Sequence, residues 1–449
     1  MNHRETLGYL ESKGNEVQMM HLGLHRTVAM LAALGDPHLQ YPAVHIAGTN
    51  GKGSVAAMTE AILRAAGLRT GMYTSPHLVR VEERMRVDGV PVAAGAFAAL
   101  GTRVRRAEEA LLGDGTMDRP LTTFEFLTCC AFLHFARRRV DVAVLEVGLG
   151  GKLDATNVVT PLASVVTGVA LDHQQYLGDT VRKIAAEKAG VIKKGVPAVS
   201  GCGDPAAQDV MRRRAAAVKT TLLELGRDFH VLDARMRGGR CTMDLQTPMR
   251  RYAGLRLALA GGYQARNAAL AVAAVEAMGA RWGARDAAQG REGFPVTIDA
   301  VRRGLAGTRW EGRLDEYAAV RRTLLDGAHN PEAALLLRDH LLARKEGELH
   351  MVFGAVRDKN IREVGAAVFP LAKRIYLTPL FNTRTSSPEE VAAMFPEHRE
   401  RMEVCKDMRS ALRAAWRNCP GKGLTVVTGS LYLVGALLPA VQKSAAGRA

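Results

Sequence analysis

The sequence has few aromatic residues and few cysteines. Aromatic residues make up 5% of the 449 residues, so the interleaved rings that stack on single-stranded nucleic acid are not evident. The six cysteines form no C-x-x-C pair, which excludes a disulfide framework and is typical of a protein kept reduced in the cytoplasm. Residues 1–5 are polar and no apolar signal segment follows them, so we expect a cytoplasmic location.

One uncharged run, residues 423–441, is long enough to raise the question of a membrane span. β-Branched residues open the run, and Gly429-Ser430 then breaks it before a segment with helical character. We therefore expect a buried strand, a turn and a packed helix, and no membrane partner.

Positive charge exceeds negative charge in this chain. There are 61 Lys and Arg residues against 45 Asp and Glu residues, which gives a formal net charge of +16. Such a surplus suits either nucleic acid or small polyanionic substrates. The basic residues are scattered and are not interleaved with aromatic residues, so we favour small anionic substrates and expect no nucleic-acid partner.

A glycine-rich loop, Gly-Thr-Asn-Gly-Lys-Gly-Ser at residues 48–54, follows a short apolar run at residues 43–47 and precedes a helical pattern. The backbone N–H groups of such a loop bind phosphate, and Lys52 adds a positive charge for the β- and γ-phosphates. The strict P-loop pattern places a hydroxyl directly after the lysine, whereas here Gly53 intervenes before Ser54. The strand and the helix on either side favour a phosphate loop over an ordinary glycine turn.

Strand and helix patterns alternate along most of the chain, which predicts a parallel α/β sheet. Short alternating strands interrupt this pattern at residues 226–260, and residues 280–297 are predicted to be a loop. We predict an N-terminal P-loop parallel-sheet ATPase domain over residues 1–300 and a smaller C-terminal Rossmann-like α/β domain over residues 301–449. Strands are predicted at residues 43–47, 140–147, 163–169, 322–325, 349–353, 374–377 and 424–428, and helices at residues 5–35, 55–66, 124–135, 181–189 and 265–278.

Polar residues that could bind a metal follow several of these strands. Glu146 lies near the end of one buried strand and His173 follows the next one, and ligands of open α/β sheets bind at such ends. A carboxylate there suits Mg²⁺, while a solvated strand-end acid and a structural histidine are the simpler alternatives. Ser75 offers a hydroxyl after another strand. Lys188 lies near the end of a helix, where a lysine often complements the helix dipole.

Eight short stretches follow one another in a recognisable order. They are residues 45–54 (HIAGTNGKGS), 73–78 (YTSPHL), 145–151 (LEVGLGG), 153–157 (LDATN), 171–173 (LDH), 185–190 (AAEKAG), 326–331 (DGAHNP) and 428–432 (TGSLY). Each one alone is modest evidence, but together they are specific and cover most of the chain. The set resembles folylpolyglutamate synthase and its bifunctional form with dihydrofolate synthase, within the Mur ligase superfamily.

The resemblance implies a role for each matching residue. The loop would hold the phosphates of ATP, and both predicted domains would contact the nucleotide. Two Mg²⁺ ions would be bound, and Lys188 would be carbamylated, which turns a cation into a carboxylate-like ligand. The implied nucleotide contacts are Asn50, Gly51, Lys52, Gly53, Ser54, Asn267, Arg313, Asp326 and His329; the metal ligands are Ser75, Glu146 and His173; and the catalytic residues are Lys188, His173 and Glu146.

The resemblance also implies a reaction, an ATP-dependent ligation of a carboxylate to an amine. ATP would convert the carboxylate of a folate to an acyl phosphate, and the amine of L-glutamate would displace phosphate to form an amide. The family is expected to be monomeric. Dihydropteroate is a second implied acceptor, but His21 does not match an acidic residue associated with that site, which leaves this activity open. Lys152 and Gln174 stand where Arg and Thr are common in the family.

Two other functions are compatible with parts of the sequence. A related Mur-type ligase could add an amino acid to a UDP-sugar precursor of the cell wall by the same chemistry, although the Gly53-Ser54 ending disfavours it. A basic P-loop ATPase that depends on nucleic acid would explain the charge of +16. It would leave the motif at residues 326–331 without a role.

Overall fold

A computed structural model describes residues 1–14, 23–237, 240–288, 294–317, 321–344, 347–357, 360–381 and 385–446. His21, which we compared with the dihydropteroate site of the family, lies outside these ranges. The predicted helix over residues 5–35 is wrong as a single helix. Its first part ends before Gly14, whose φ of 77° is incompatible with a continuing right-handed helix, and a second helix begins at His25.

The N-terminal part is built on an eight-stranded sheet in the order β4-β3-β2-β5-β1-β6-β7-β8. The strands from β2 to β8 in this order run parallel, and β3 and β4 add antiparallel pairs at one edge. The strands are β1 (Ala43–Ala47), β2 (Thr70–Tyr73), β3 (Met85–Val87), β4 (Val90–Pro91), β5 (Val142–Glu146), β6 (Ala163–Val166), β7 (Ala198–Ser200) and β8 (Leu222–Glu224). The predicted parallel α/β sheet is confirmed.

Helices cover both faces of this sheet, because its strands are apolar on both sides. Along β1, Val44 and Ile46 enter one buried cluster, and Ala43 enters the cluster on the opposite face. The helices of this part are α1 (His3–Ser12), α2 (His25–Ala33), α3 (Lys52–Ala65), α4 (Ala94–Gly113), α5 (Thr123–Arg137), α6 (Gln174–Leu177), α7 (Val181–Ala189), α8 (Pro205–Ala217), α9 (Gln264–Ala288) and α10 (Ile298–Gly307).

A three-stranded antiparallel sheet is inserted before α9, as the alternation at residues 226–260 predicted. Its strands are β9 (His230–Arg237), β10 (Arg240–Gln246) and β11 (Arg251–Leu257). The predicted loop at residues 280–297 is wrong at its start, because α9 continues to residue 288. Trp282 is buried there, with its ring centroid 5.8 Å from that of Phe294, so packing extends the helix past two glycines.

The C-terminal part contains a six-stranded sheet in the order β12-β13-β17-β14-β15-β16. All neighbours are parallel except β12 and β13. Its strands are β12 (Asp315–Tyr317), β13 (Thr323–Leu325), β14 (Leu349–Phe353), β15 (Arg374–Leu377), β16 (Met402–Val404) and β17 (Leu424–Thr428), and its helices are α11 (Pro331–Ala343), α12 (Ile361–Val368), α13 (Pro388–Ala393), α14 (Met408–Asn418) and α15 (Leu431–Ala446). The predicted α/β fold class is confirmed for this part as well.

The uncharged run at residues 423–441 forms β17, a turn at Gly429 and the first part of α15. Within the described ranges, no helix is long and apolar enough to cross a membrane. The expected strand, turn and packed helix are therefore confirmed.

Helix α10 crosses residue 300, where we placed the domain boundary, and that boundary stays a prediction. The helix packs against α3 and β11. A Cβ at Gly304 would lie 2.5 Å from the Cα of Ile62, so the two helices touch backbone to backbone. The whole of α10 is thereby joined to the helix that follows the glycine-rich loop.

A buried ion pair between α2 and α5 gives a test of the fold. Arg26 donates to Glu125 at 2.9 Å, and their side chains are 1% and 5% exposed. Glu125→Ala is expected to lower the free energy of unfolding by about 3 to 5 kcal/mol, because it leaves a buried guanidinium without its carboxylate. Urea unfolding followed by circular dichroism measures this. Glu109→Ala, which breaks an exposed pair with Arg105, should leave the midpoint nearly unchanged; an equal loss in both variants would contradict the prediction.

Candidate active site

A cavity of about 540 Å³ lies where the carboxyl ends of β1, β2, β5 and β6 face the C-terminal sheet. Every residue that the sequence predicted for the site lines it, from both parts of the chain. These residues are Asn50, Gly51, Lys52, Gly53, Ser54, Ser75, Glu146, His173, Lys188, Asn267, Arg313, Asp326 and His329. Their placement agrees with the prediction, while the role of each one stays a prediction.

The glycine-rich loop joins β1 to α3 and is held from two sides. Gly51 has a φ of 84° and is the N-cap of α3, so the helix begins at Lys52, three residues before the predicted start. The hydroxyl of Thr167 donates to the backbone oxygen of Asn50 at 2.6 Å. A Cβ at Gly51 would lie 2.6 Å from the side-chain oxygen of Asn267. The loop therefore points its backbone N–H groups into the cavity from the N-terminus of a helix, which is the arrangement that binds phosphate.

Gly53, which interrupts the strict P-loop pattern, packs on a residue that the sequence analysis did not single out. A Cβ at Gly53 would lie 2.8 to 2.9 Å from the indole ring of Trp310. Trp310 belongs to the segment that connects α10 to the C-terminal sheet. Next in the loop, the Ser54 hydroxyl accepts a hydrogen bond from the side chain of Gln264 at 3.4 Å. A glycine is therefore required at position 53, because the segment that carries Trp310 packs directly against it. No local sequence pattern reveals this contact.

Two lysines meet at the start of the loop. Nζ of Lys52 donates to the backbone oxygens of Gly48 and Thr49 at 3.1 and 3.2 Å. Nζ of Lys188, which is buried, donates to the same oxygen of Gly48 at 2.9 Å. Burial, and then the charge of Lys52, lower the pKa of Lys188 to about 7. A large fraction of Lys188 is therefore an uncharged amine near neutral pH.

Glu146 and Ser75 lie together at the ends of β5 and β2. The backbone N–H of Ser75 donates to the Glu146 carboxylate at 3.1 Å. Glu146 is 4% exposed. Burial raises its pKa, and the charges of Lys52 and Arg313 oppose this rise. A buried carboxylate of this kind is suited to bind a hard metal ion such as Mg²⁺.

Residues 171–173 and the start of α11 form one contact between the two parts of the chain. The side-chain amide of Asn330 donates to Asn50 at 3.0 Å and to Asp172 at 3.2 Å. Asn330 is also the N-cap of α11, where its oxygen accepts from the backbone N–H of Ala333. His329 and His173 each lie about 4 Å from the Asp172 carboxylate. The same side chain therefore caps the helix and bridges to the glycine-rich loop.

Asp326 anchors the C-terminal side of the cavity. Its carboxylate accepts from the backbone N–H groups of Leu314 and Ala328, both at 2.9 Å. Burial raises the pKa of Asp326, and the neighbouring Arg313 opposes this rise. A Cβ at Gly327 would lie 2.7 Å from the Arg313 guanidinium. Asp326 and Arg313 are thus held next to each other, and both face the glycine-rich loop across the cavity.

Two known domain families match this chain, and together the matches include the residues on both sides of the cavity. Residues 46–275 match the Mur ligase middle domain, and residues 312–431 match the Mur ligase glutamate ligase domain. The chain belongs to the Mur ligase family. It is therefore an ATP-dependent ligase, as the resemblance of its motifs implied. Helix α10 and the Trp310 segment lie between the two matched ranges.

Known proteins similar to the chain refine this placement within the family. Folylpolyglutamate synthase of Lacticaseibacillus casei is 36% identical over 97% of this chain and 98% of its own length. The dihydrofolate synthase/folylpolyglutamate synthase of Escherichia coli is 31% identical over 98% and 96%. The chain belongs to this branch of the family, and the predicted resemblance is confirmed.

Solved structures similar to this chain belong to the same branch of the family. Mycobacterium tuberculosis folylpolyglutamate synthase complexed with ADP has a TM-score of 0.88 and 31% identity, covering 98% of this chain and 99% of that one. Escherichia coli FolC in complex with DHPP and ADP has a TM-score of 0.85 and 30% identity, covering 100% and 99%. Both comparisons extend over the two parts of the chain and over the cavity between them.

The contact between Gly53 and Trp310 leads to a prediction on nucleotide binding. Gly53→Ala is expected to weaken ADP binding at least about tenfold, or 1.4 kcal/mol, because its methyl group overlaps the indole and must shift the loop. In a Trp310→Ala background the same substitution should cost less than about threefold, since the obstacle is gone. Isothermal titration calorimetry measures both. Gly262→Ala, where a Cβ meets no atom within 4 Å, serves as the control; additive losses would contradict the prediction.

Proposed function

We propose that this ligase joins the amine of L-glutamate to the carboxyl group of a folate, with ATP cleaved to ADP and phosphate. This proposal rests on one observation. All the site residues implied by the folylpolyglutamate synthase motifs line one cavity between the two parts of the chain. A carboxylate is a poor electrophile, so ATP first converts it to an acyl phosphate. The amine then displaces phosphate, and an amide results.

The glycine-rich loop would hold the nucleotide phosphates. Backbone N–H groups at residues 50–54 lie at the start of α3, and Lys52 lies beside them. Asn267 contacts the loop from α9, and Arg313, Asp326 and His329 face it from the other side of the cavity. Lys52 and Arg313 would stabilise the negative charge of the transferring phosphoryl group.

Mg²⁺ would be held by Ser75, Glu146 and His173, at two sites. The described residues contain no group of three or more His, Cys, Asp or Glu side chains placed to hold a metal by themselves. This fits Mg²⁺, which typically takes one or two carboxylates and completes its shell with phosphate oxygens and water. The buried Glu146 carboxylate beside Ser75 supplies such a donor. Bound there, Mg²⁺ would neutralise phosphate charge.

Lys188 would act as its carbamate. A carbamate forms from an uncharged amine, and burial brings the pKa of Lys188 to about 7. The side chain lies against the Gly48 carbonyl at the edge of the phosphate loop. Carbamylation would replace a repelled cation by an anionic oxygen ligand for the metal.

Closure of the two parts over the substrates would exclude water from the acyl phosphate. Asn330 supports this, because it links α11 both to Asn50 in the loop and to Asp172. We also propose that the chain works as a cytoplasmic monomer of two domains, residues 1–300 and residues 301–449. All six of its cysteines are free and buried.

Dihydropteroate is the second acceptor that we propose. Relatives of nearly full length carry both names, dihydrofolate synthase and folylpolyglutamate synthase, in Bacillus subtilis and Escherichia coli. The chemistry is unchanged, since dihydropteroate also presents a carboxylate to ATP and glutamate.

Turnover with defined acceptors tests the proposal. The purified protein with Mg²⁺, ATP and L-glutamate is expected to release ADP when tetrahydrofolate is added, and also when dihydropteroate is added. Product mass should rise by one glutamate residue. Release with tetrahydrofolate alone would confine the activity to polyglutamylation, and no folate-dependent release would contradict the proposal. A UDP-sugar acceptor and a DNA or RNA stimulant, added in separate reactions, should have no effect.

The carbamate leads to a further prediction. Lys188→Ala should lower ligation by at least about 100-fold, the usual size of a lost electrostatic contact at a reacting phosphoryl group, and small carboxylates should restore part of it. In bicarbonate-free buffer the wild-type rate should fall, and fall most below pH 7, where more of the amine is protonated. Lys183→Ala, in the same helix but exposed and paired with Asp179, is the control. Full activity of Lys188→Ala would exclude the role.

A further inference from the structure

The hydrogen-bonded pairing of β1 with β6 continues beyond the ends of the two strands. The backbone N–H of Thr167 donates to the backbone oxygen of Ala47 at 2.9 Å, and the backbone N–H of Thr49 donates to that of Gly168 at 2.9 Å. Thr49 is the second residue after β1, and Gly168 is the second residue after β6. The glycine-rich loop therefore begins as a continuation of the parallel ladder.

The side chain of Thr49 adds two further hydrogen bonds to this ladder. Its hydroxyl oxygen accepts from the backbone N–H of Ala170 at 3.1 Å, and its hydroxyl proton is donated to the backbone oxygen of the same residue at 3.3 Å. Both main-chain polar groups of Ala170 are thus bonded to one side-chain oxygen. An apolar side chain of the same shape, such as that of valine, makes neither bond.

A second threonine makes the reciprocal contact. Thr167, the first residue after β6, is 8% exposed and donates from its hydroxyl to the backbone oxygen of Asn50 at 2.6 Å. The loop therefore holds the segment after β6 through Thr49, and that segment holds the loop through Thr167. Two such crossed contacts restrict the relative movement of the two segments more than either contact alone.

These contacts determine the spacing of two acceptors that the C-terminal part uses. Asn50 directly follows Thr49 in the loop. Asp172 lies two residues after Ala170. The side-chain amide of Asn330 donates to the side-chain oxygens of Asn50 and Asp172, at 3.0 and 3.2 Å. One amide nitrogen reaches two acceptors only when they are held at a suitable distance from each other, because its two protons point in fixed directions.

We propose that Thr49 is a positioning residue of this ligase, whose hydroxyl holds residues 170–173 against the glycine-rich loop. It thereby places Asp172 for the docking of α11 and His173 for the metal. Thr49 acts through the backbone of Ala170 and makes no bond to the nucleotide. The inference rests on the proposed function, which supplies the metal-binding role of His173 and the folate used in the ligation assay.

Hydrogen exchange of the ligand-free protein, followed by mass spectrometry, tests the contact itself. Thr49→Val should accelerate exchange in the peptide covering residues 168–173 at least about tenfold, the effect expected for the loss of about two ordinary hydrogen bonds. Thr49→Ser keeps the hydroxyl and should exchange as the wild type does. Unchanged exchange in Thr49→Val would overturn the proposal.

Nucleotide binding separates a positioning role from a direct contact, since Thr49 also lines the cavity. In buffer with EDTA and no metal, Thr49→Val should bind ADP within about threefold of wild type, because Thr167 still holds the loop. Thr167→Val should weaken ADP binding about tenfold, because it releases the backbone of Asn50 within the loop. Isothermal titration calorimetry measures both. Equal weakening in the two variants would assign the Thr49 hydroxyl to the nucleotide and overturn the proposal.

Ligation kinetics should show the same separation. Thr49→Val is expected to lower kcat about 10- to 100-fold, the usual effect of a reacting group displaced by about 1 Å. The KM values for ATP and tetrahydrofolate should stay within about threefold of wild type, and Thr49→Ser should restore most of the rate. A higher KM for ATP with an unchanged kcat would contradict the proposal.

Thr220→Val is the matched control. The Thr220 hydroxyl donates to the backbone oxygen of Val196 at 2.6 Å, and neither residue lines the cavity. The substitution removes the same kind of bond and should leave ADP binding and kcat within about twofold of wild type. Wild-type protein without folate-dependent ADP release would refute the proposed function itself. If wild type is active and Thr49→Val keeps its exchange and its kcat, only the present inference fails.

Discussion

Two lysine side chains share one acceptor in this protein, the backbone oxygen of Gly48. Nζ of Lys188 donates to it at 2.9 Å and Nζ of Lys52 at 3.1 Å. Burial and the charge of Lys52 lower the pKa of Lys188 to about 7, because ammonium groups brought together with little water repel each other. The cavity therefore favours negative charge. The phosphates of a nucleotide supply it, and a carbamate on Lys188 would remove one of the repelling cations altogether.

The loop that carries this oxygen is kept in shape by contacts from distant parts of the chain. Thr167 approaches the backbone at Gly48 so closely that a side chain there would collide with it, Asn267 does the same at Gly51, and Trp310 at Gly53. Each contact comes from a different element. The backbone N–H groups are thus oriented before any ligand binds, and binding a phosphate requires little further ordering.

The two parts of the chain meet through polar side chains as well as through apolar ones such as Leu78 and Tyr263. Asn330 caps α11 and also reaches Asn50 and Asp172, while Asp326 fixes the segment that carries Arg313 by accepting the N–H of Leu314. The hydrogen bonds of this interface cost little to open, because water can replace them. The same segment packs Trp310 against the glycine-rich loop. Movement of the C-terminal part would therefore shift the backbone groups that bind phosphate.

The sequence by itself determined the α/β class and several strands to the residue, because period and glycine placement are local properties. The resemblance of its motifs implied a list of site residues, which line one cavity and whose roles stay a prediction. Strands at residues 43–47, 349–353 and 424–428 were predicted with their observed ends. Only the tertiary structure decided that α9 continues past residue 280 and that Gly53 accommodates Trp310. These features arise from contacts between residues far apart in the chain, and no local pattern encodes which side chains such contacts bring together.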